Sequence, residues 1–501
     1  MSMAVEMKGI SKSFNGKVAL DNVDFSVKKG EIHCLLGENG AGKTTLMNVL
    51  FGIYNSDAGE IKLYENKVDI KNARDAFHNG LGMVHQHFML VENMTVLQNI
   101  ILGQEIGKYK IDYSQNKNKV KEIIKKYGLE INLDEKVSNL SVGLKQRTEI
   151  IKALYRGADI LVLDEPTAVL TPQEANQLMK VLIGLQKNGM TIIFITHKLN
   201  ETMEIADTAT ILRNGELVEK LSIEDVDVKI LAEKMVGHEI AETSQLKDVS
   251  KDKLIFKIDN LKLLENSTKN IFLEIHSGEI LGIAGVDGNG QIELEEMIMG
   301  LRDNLEGEIF YDNKEISSMK TIELKELGIG YIPSDRFKRA ILPGMNLYEN
   351  MLLGNQNNKE FINNGLLKYD SIKEFTSVSL EKYNVKFSNI EQNVGGLSGG
   401  NQQKLVVSRE MKNNSDFLLA AQPSRGLDIG AIQFIHEQFI QMRNNGKAIL
   451  LISADLDEIL KISDKIAVLY KGEIMAVDKR ENFTKERLGL LMAGRRDYEK
   501  V

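Results

Sequence analysis

The sequence predicts an α/β protein made of two tandem copies of one domain, each built around a mainly parallel β-sheet. Short apolar runs rich in β-branched residues alternate with longer segments of helical pattern through the 501 residues, as in the strand–helix–strand units of parallel sheets. A glycine-rich stretch that follows one such run near residue 37 recurs near residue 285. The alternation predicts the fold class, and the recurrence predicts the duplication.

The duplication rests on landmarks that recur in the same order at nearly constant spacing. Residues of the second half follow their counterparts after 248 positions at the glycine-rich stretch and after 257 positions further along. The matched pairs are Gly37 and Gly285, Gly82 and Gly330, Ser141 and Ser398, and Pro166 and Pro423. A period of about 250 residues has the size of a domain and is far longer than the period of solenoid repeats.

We expect the first domain to span residues 1–240 and the second to span residues 254–501. The first ends in the helical pattern of Leu231–Gly237, and the polar stretch Glu242–Lys253 follows it. Polar residues between two periodic segments are typical of loops. Residues 241–253 are therefore predicted to be a linker.

Composition argues against several function classes. The chain has a single cysteine, Cys34, so we expect neither a disulfide framework nor a cysteine-based zinc site, and a reducing compartment fits. The net charge of −8 and the pI near 5.7 argue against a dedicated nucleic-acid binder. The start of the chain does not read as a secretion signal, and the longest apolar runs, such as Ala448–Ile452, are shorter than the roughly 18 residues of a membrane span. At a membrane, we expect this chain to dock onto another subunit.

Residues Gly37–Thr44 fit the pattern G-x-x-x-x-G-K-S/T between an expected strand, His33–Leu36, and an expected helix, Thr45–Phe51. Glycines allow the backbone to curl so that its N–H groups and the helix N-terminus point at phosphate oxygens. Lys43 then supplies a charge for the β- and γ-phosphates, and the Thr44 hydroxyl binds Mg²⁺. The candidate nucleotide contacts are Gly37, Glu38, Asn39, Gly40, Ala41, Gly42, Lys43, Thr44 and Thr45. The alternative is an incidental glycine-rich turn.

Two acids, Asp164 and Glu165, directly follow the apolar run Ile160–Leu163. A strand buried on both faces has no reason to end in adjacent carboxylates unless a cation or a proton meets them there. We expect Asp164 to hold Mg²⁺ through water and Glu165 to act as general base on the attacking water. The alternative is a pair of solvated acids.

His197 follows the expected strand Thr191–Thr196 and is predicted to contact the γ-phosphate. The alternative is a capped loop residue.

These motifs, together with Leu397–Gln402 (Leu-Ser-Gly-Gly-Asn-Gln), resemble the ABC transporter ATPases over essentially the whole chain. The resemblance implies two P-loop NTPase domains, each with a mainly parallel sheet, an antiparallel subdomain and a helical subdomain. It also implies that ATP and Mg²⁺ bind, with Gln86 as the catalytic glutamine that senses Mg²⁺. Phe14 matches the aromatic that stacks on adenine, and core packing is its alternative. The nucleotide contacts of the signature fall on Ser398, Gly399, Gly400 and Gln402.

The two-domain layout is similar to that of importers for simple sugars and nucleosides, and the stretches Met83–Val91 and Ala420–Ala431 look closest to the nucleoside branch. This resemblance implies an ATPase that is peripheral at the cytoplasmic face of the plasma membrane. Its implied partners are two integral-membrane permease subunits and, through them, an extracytoplasmic substrate-binding protein, with no nucleic acid. The apolar run Phe88–Val91, in the groove between Gln86 and Leu102, is the predicted permease docking site; an ordinary core segment is the alternative.

In this family each ATP site combines the phosphate loop of one domain with the signature of the other, which makes the two sites of this chain unequal. The first site combines the complete set of the first half with the intact signature. In the second site, Lys43 is matched by Gln291, Thr44 by Ile292, Asp164 by Ala421, Glu165 by Gln422, His197 by Ala454, Gln86 by Ser334, and a signature glycine by Val142. We expect one competent site and one degenerate site that binds nucleotide weakly or statically and hydrolyses almost none; the alternative is that the degenerate site binds nothing.

Thr171 stands where the second copy and the family have an aspartate, Asp428. Because this loop links the two sites in the family, we expect weaker coupling between them.

Two other function classes stay open at this point. They are the soluble twin-domain ABC proteins that act on ribosomes, and a regulatory or structural ATP-binding protein without a membrane partner.

Overall fold

The chain divides into two units in the computed structural model, unit 1 (Met1–Ala241) and unit 2 (Glu242–Val501). The structure describes residues 2–85, 88–107, 111–167, 170, 172–196, 198–237, 246–286, 288–304, 306–363, 365–411 and 415–495. The predicted linker, residues 241–253, lies partly outside these ranges. Its described part, residues 246–253, forms neither helix nor strand.

Unit 1 alternates strands and helices as the sequence pattern predicts. Its strands are β1 (Met3–Phe14), β2 (Lys17–Lys28), β3 (Ile32–Leu36), β4 (Ala58–Leu63), β5 (Asn66–Val68), β6 (Leu81–Val84), β7 (Ile160–Asp164), β8 (Thr191–Ile195), β9 (Thr208–Arg213) and β10 (Glu216–Ser222). Its helices are α1 (Lys43–Leu50), α2 (Ala73–His78), α3 (Val96–Ile101), α4 (Tyr113–Tyr127), α5 (Val142–Tyr155), α6 (Pro172–Lys187), α7 (Leu199–Ile205) and α8 (Val228–Val236).

Two sheets organise unit 1. An antiparallel sheet has the order β2-β1-β4-β5, and a second sheet has the order β10-β9-β3-β8-β7-β6, parallel except for β10. Every residue of β3, β7 and β8 is buried, as expected for strands covered on both faces. Helix α1 shares one apolar cluster with both sheets, while α3 and α4 pack on α5 as the helical part.

Unit 2 repeats this plan. Its strands are β11 (Leu254–Leu261), β12 (Ile271–His276), β13 (Ile280–Ala284), β14 (Glu308–Tyr311), β15 (Lys314–Glu315), β16 (Ile329–Ile332), β17 (Ile362–Asn363), β18 (Leu366–Leu367), β19 (Phe417–Ala421), β20 (Ala448–Ser453), β21 (Lys465–Tyr470) and β22 (Glu473–Lys479). Its helices are α9 (Gln291–Ile298), α10 (Thr321–Glu326), α11 (Arg336–Arg339), α12 (Leu347–Leu352), α13 (Tyr369–Lys382), α14 (Gly399–Glu410), α15 (Ile429–Asn444), α16 (Leu456–Ile462) and α17 (Lys485–Met492).

The strand order of unit 2 confirms the duplication. Its antiparallel sheet has the order β12-β11-β14-β15, and its larger sheet has the order β16-β19-β20-β13-β21-β22. Each strand occupies the place of its counterpart in unit 1, where the larger sheet read from β6 has the order β6-β7-β8-β3-β9-β10. The predicted fold class is therefore confirmed, including the antiparallel and helical parts of each domain. No helix in the described ranges is both long and apolar enough to cross a bilayer.

The bounds of the elements around the glycine-rich loop differ slightly from the prediction. The strand before the loop begins at Ile32 rather than His33, and helix α1 begins at Lys43 rather than Thr45. Gly42 is the last residue before the helix, with φ 103°, a left-handed conformation that only glycine adopts without strain. Lys43 and Thr44 consequently lie in the first turn of α1.

Candidate nucleotide site

The loop between β3 and α1 depends on glycine at its two ends. A Cβ placed on Gly37 would lie 2.4 Å from the carbonyl oxygen of Leu212, and one on Gly42 would lie 2.8 Å from Cδ2 of Leu20. The N–H of Gly215 donates to the carbonyl of Ala41 at 3.1 Å, which ties the loop to the turn between β9 and β10. The backbone is thus held in a curl that no larger residue could form at these two positions.

The N-terminus of α1 faces this loop and carries no capping side chain of its own among the described residues. Within the described part of the chain, no side chain caps Gly42 and no acid lies in the first turn of the helix. The first N–H groups of a helix lack partners inside the helix and carry positive partial charge. Glu38 is half-buried, whereas Asn39 and Gly40 are exposed at the rim of the loop and Thr45 is half-buried in the first turn. This arrangement fits a chain of phosphates.

Lys43 is buried and braces the loop. Its Nζ donates to the carbonyl oxygens of Gly37 at 2.7 Å and Glu38 at 2.9 Å. Burial lowers the pKa of Lys43, and the negative charges of Glu165 and Asp164 oppose that change. The ammonium group therefore lies between the loop that would hold phosphates and the acids at the end of β7.

Asp164 ends β7 in a position suited to a metal ion. Burial, together with the charge of Glu165, raises the pKa of Asp164 from 3.8 to about 6, although Lys43 and a hydrogen bond with Thr44 oppose the rise. A divalent cation would offset the cost of burying this carboxylate, and oxygen ligands are those that Mg²⁺ prefers. Asp164 and the Thr44 hydroxyl, which the structure brings together, could hold Mg²⁺.

Glu165 has a backbone conformation that is uncommon outside glycine. Its φ is 45°, and its N–H donates to the carbonyl of Ile195, the last residue of β8, at 3.0 Å. A non-glycine residue with positive φ costs free energy and is often found at functional sites. The matched residue of unit 2, Gln422, has nearly the same φ, 47°, so the duplicated fold imposes this turn in both units.

A polar cluster that the sequence analysis did not single out joins the loops after β7 and β8. Glu201 accepts hydrogen bonds from the hydroxyls of Thr167 at 2.8 Å and Thr196 at 3.4 Å. Lys198 donates to the carbonyl of Thr167 at 3.2 Å. These bonds connect the segment just after Glu165 with the residues on either side of position 197. His197 itself lies outside the described residues, as does Gln86.

Phe14, the last residue of β1, is 38% exposed and meets the ring of Tyr54 edge-on, with the centroids 5.0 Å apart. A side chain this accessible is not part of the core. An exposed aromatic face can stack on a nucleobase, and the contact with adenine stays a prediction.

The comparison with known families decides the class of this site. The sequence pattern of the ABC transporter family matches residues 20–168 and 268–425, which together exceed half of the chain. The chain belongs to the ABC transporter family. As a member of it, the protein is an ATP-binding ATPase.

Known ABC proteins resemble this chain over nearly its full length. The guanosine import ATP-binding protein NupO of Bacillus subtilis (strain 168) is 44% identical over 499 residues, 99% of this chain and 98% of that protein. The nucleoside import ATP-binding protein NupA of Lactococcus lactis subsp. cremoris (strain MG1363) is 41% identical over 495 residues, 98% of each chain. Among solved structures, that of the archaeal ribosome recycling factor aABCE1, in complex with the ribosomal stalk protein aP1, is similar in fold, with a TM-score of 0.61. The match covers 93% of this chain and 89% of the matched chain. At 19% identity, this likeness shows the fold alone.

The second phosphate loop of this ABC chain is held by an uncharged side chain. Gln291, at the position of Lys43, donates from Nε2 to the carbonyl of Val286 at 2.8 Å and accepts from the N–H of Asn289 at 3.1 Å. It therefore braces the loop as Lys43 does without supplying a charge. Ile292, at the position of Thr44, is 50% exposed and offers no ligand to a cation. Glu293 places an acid in the first turn of α9, which disfavours a phosphate there.

The ABC signature turn of unit 2 opens helix α14. Ser398 is exposed, and its Oγ accepts from the N–H of Asn401 at 3.4 Å. A Cβ placed on Gly399 would lie 2.8 Å from Nη2 of Arg336, and one on Gly400 would lie 2.8 Å from Oδ2 of Asp428. Gly400 is thus closely packed against α15, where Cβ of Ala431 would also lie 3.0 Å away, whereas a Cβ on Gly399 would meet only the end of the flexible Arg336 side chain.

Gln402 occupies a different position from Ser398, although both are predicted nucleotide contacts. It is only 3% exposed, and its Nε2 donates to the carbonyl oxygens of Val394 at 3.3 Å and Leu397 at 3.1 Å. A buried amide with these partners holds the turn in place. The structure therefore gives Gln402 a supporting position behind the exposed Ser398.

Proposed function

We propose that this chain is the ATP-hydrolysing subunit of an importer that drives uptake of nucleosides, or of simple sugars, through two integral-membrane permease subunits. The observation that carries the proposal is that Lys43, Thr44 and Asp164 lie together at the glycine-rich loop of unit 1, in a chain 44% identical to a guanosine import ATP-binding protein. Such a subunit acts at the cytoplasmic face of the membrane. An extracytoplasmic binding protein delivers the cargo to its permeases.

In the proposed reaction, unit 1 supplies the groups that hold and activate ATP. The loop N–H groups and Lys43 bind and orient the phosphates, and Thr44 and Asp164 hold the Mg²⁺ that offsets charge on the phosphate oxygens. Glu165 takes a proton from the attacking water. We assign adenine stacking to Phe14 and contacts with Mg²⁺ and the γ-phosphate to the remaining candidates, Gln86 and His197.

We further propose that Ser398 and Gly400 of unit 2 complete this site in the ATP-bound state, since N–H groups at the start of α14 can stabilise the γ-phosphate. The second site would combine the Gln291 loop with the turn at Ser141. Because neither Gln291 nor Ile292 replaces the charge or the metal ligand, we expect that site to bind nucleotide weakly and to hydrolyse almost none.

The proposed docking surface for the permeases is the segment Phe88–Val91. Met89 is 62% exposed, yet its backbone is fixed, since its N–H donates to Glu149 at 2.7 Å and its carbonyl accepts from Lys152 at 2.9 Å. An exposed apolar side chain on a fixed backbone favours docking over the core alternative.

We set aside action on ribosomes, because the likeness to aABCE1 extends to the fold alone and the chain is acidic.

The test compares matched positions of the two units. Glu165→Gln should abolish turnover while ATP still binds, and Gln422→Glu should leave turnover near that of the unmodified chain. ATPase rates and equilibrium ATP binding measure both. Unchanged turnover in Glu165→Gln would refute the assignment of the base.

Co-purification of the tagged chain from its own cells should yield two integral-membrane proteins. Uptake of labelled guanosine, adenosine and ribose in a deletion strain then distinguishes nucleoside from sugar cargo. Purification without membrane proteins, in detergent that preserves such complexes, would contradict the importer assignment.

A further inference from the structure

A network of charged and polar side chains joins two helices of unit 2 through its interior. At one end is α9, the helix that follows the second phosphate loop, and at the other is α14, the helix that the signature turn opens. Strand β16 and the short helix α11 lie between them. The members of this α9–α14 network, all buried or half-buried, are Glu295, Glu296, Tyr331, Arg339, Arg409 and Glu410.

The α9 end of the network holds β16 and the segment after it. Glu295 is 1% exposed, and its carboxylate accepts from the hydroxyl of Tyr331 at 2.5 Å and from the N–H of Ser334 at 3.2 Å. The adjacent Glu296 accepts from Arg339 of α11, and the same guanidinium lies 3.8 Å from Glu295. Burial and the charge of Glu295 raise the pKa of Tyr331, so the hydroxyl keeps the proton that it donates.

The other end of the network lies at the last two residues of α14. Glu410 accepts from the N–H of Tyr331 at 3.2 Å and from Nζ of Lys325 at 2.7 Å. Arg409 donates to Glu410 at 2.8 Å and to the carbonyl of Ala340, the residue after α11, at 2.9 Å. Although burial alone would raise the pKa of Glu410, the charges of Lys325 and Arg409 lower it. An ionised carboxylate therefore ties α14 to β16.

Unit 1 has uncharged residues at the matched positions. Glu295, Tyr331 and Lys325 match Met47, Met83 and Phe77, 248 residues earlier, and Glu410 matches Ala153, 257 residues earlier. The two methionines belong to the apolar cluster around α1, and the phenylalanine packs against that cluster. A buried charge that loses its partner is costly, so the network permits fewer arrangements of the helices of unit 2 than apolar packing does.

We infer that the α9–α14 network holds the signature helix of unit 2 in one orientation on its own sheet, whether or not nucleotide is bound. The signature turn begins α14, a helix of 12 residues, and thus lies about 18 Å from the end that the network fixes. Glu295 and Tyr331 are therefore positioning residues for that turn. Such a device suits a unit whose own phosphate loop has Gln291 in place of a lysine. The inference goes beyond the proposed function, and only its effect on turnover rests on that function.

The test measures a distance within unit 2 by double electron–electron resonance between spin labels on Val378→Cys and Glu274→Cys. Both positions are exposed; the first is on α13, which packs on α14, and the second is on β12, which shares an apolar cluster with α9. Cys34 is buried, and burial raises its pKa to about 12, so it should not take the label. In the full chain carrying Glu165→Gln, we expect one narrow distance distribution without nucleotide, with ADP and with ATP.

The decisive variant is Glu295→Met combined with Tyr331→Met, which gives unit 2 the matched residues of unit 1 and removes both partners together. Its distance should broaden or shift on the order of a few ångström. Glu295→Gln keeps an acceptor for both donors, so its distribution should stay as in the unmodified network. Arg302→Gln is the matched control: it removes an ion pair with Glu296 that involves neither β16 nor α11, and the distance should not change.

Thermal melting identifies a variant that fails to fold. If the double variant does not fold, Tyr331→Phe, which removes only the hydroxyl, decides, and its distribution should be broader than that of the unmodified network. A shift on adding ATP to the intact network overturns the inference. An unchanged distribution in the folded double variant overturns it as well.

Turnover separates this inference from the proposed function. With Glu165 intact, the double variant should lower kcat on the order of tenfold, since misplacing a positioned group slows the reaction. An unchanged kcat beside a broadened distance would contradict the proposed role of the signature turn and support the network. If Glu165→Gln still splits ATP, the assigned base is wrong, and the distances within unit 2 still decide whether the network holds α14.

Discussion

The carboxylate of Glu174 accepts a hydrogen bond from the N–H of Gly143 at 3.2 Å, in the turn of unit 1 that matches the signature turn of unit 2. A Cβ on Gly143 would lie 2.8 Å from Oε1 of Glu174, and a Cβ on Gly400 would lie 2.8 Å from Oδ2 of Asp428. Each turn therefore has a carboxylate oxygen at the same distance from a Cβ placed on the matched glycines, Gly143 and Gly400.

The two carboxylates come from different positions in the duplicated sequence. Asp428 matches Thr171, and Glu174 matches Ala431. We expected weaker coupling between the sites because position 171 has no acid. The structure shows that unit 1 has an acid at this turn, supplied from the first turn of α6, and the weaker coupling stays a prediction. Thr171 lies outside the described residues.

Removing these carboxylates should destabilise the two units unequally. Glu174→Ala loses one hydrogen bond to a backbone N–H and should cost about 1 kcal/mol of unfolding free energy, whereas Glu174→Gln, which keeps an acceptor, should cost less. Asp428→Ala should cost about 1–2 kcal/mol, because Asp428 also caps α15 by accepting from the N–H of Ala431 at 2.7 Å. Urea unfolding followed by circular dichroism measures the order; a larger loss in Glu174→Gln than in Glu174→Ala would contradict it.

Much of the candidate site in unit 1 was predictable because parallel strands end at one edge of a sheet. Once β3 and β7 are recognised, the loop Gly37–Thr44 and Asp164 must lie near each other. The predicted start of α1 is two residues late, because sequence periodicity does not show that the left-handed residue Gly42 directly precedes the helix.

Other contacts could not be predicted because they depend on tertiary packing. Arg336 and Gly399 are 63 positions apart and meet only because α14 contacts β16. No motif relates the two residues. Gln291 replaces a lysine in the sequence, and only the structure shows that its amide keeps one of the two bonds of Lys43, the one to the carbonyl of Val286, which matches Glu38. The acid at Glu174 was missed since it stands outside the position where the family carries one.

The protonation of Asp164 should make stability and metal binding depend on pH in opposite ways. Its pKa is raised from 3.8 to about 6, so the folded chain without nucleotide holds the proton more tightly than the unfolded chain. The contribution of this group to stability therefore falls as pH rises from about 4 to about 6. Mg²⁺ needs the ionised carboxylate, so Mg²⁺-dependent ATP binding should weaken as pH falls through about 6.

Asp164→Asn tests both effects. Without nucleotide, this variant should melt at a higher temperature than the unmodified chain at pH 7.5, and the difference should shrink as the pH is lowered toward 5. Melting by differential scanning calorimetry and ATP binding with and without Mg²⁺ provide the measurements. The control is Asp69→Asn, which removes an exposed carboxylate paired with Lys71. A difference in melting temperature that stays constant with pH would show that Asp164 does not titrate in this range.

Phe14 should affect nucleobase binding without affecting stability much. The ring is exposed and has one aromatic neighbour, Tyr54, so Phe14→Ala removes little buried apolar surface. Stacking of an aromatic side chain on a base contributes about 1–3 kcal/mol. We therefore expect Phe14→Ala to weaken ATP binding by roughly tenfold, and Phe14→Tyr, which keeps the ring face, to change it by less than about twofold.

Tripolyphosphate separates base stacking from the phosphate contacts. It lacks the base, so its binding should be the same in Phe14→Ala as in the unmodified chain, whereas Lys43→Ala should weaken tripolyphosphate and ATP alike. Val18→Ala, which shortens an exposed apolar side chain on the adjacent strand β2, controls for local changes in the surface. Equal losses of ATP and tripolyphosphate in Phe14→Ala would mean that the ring shapes the phosphate loop, since a stacking contact acts only on the base.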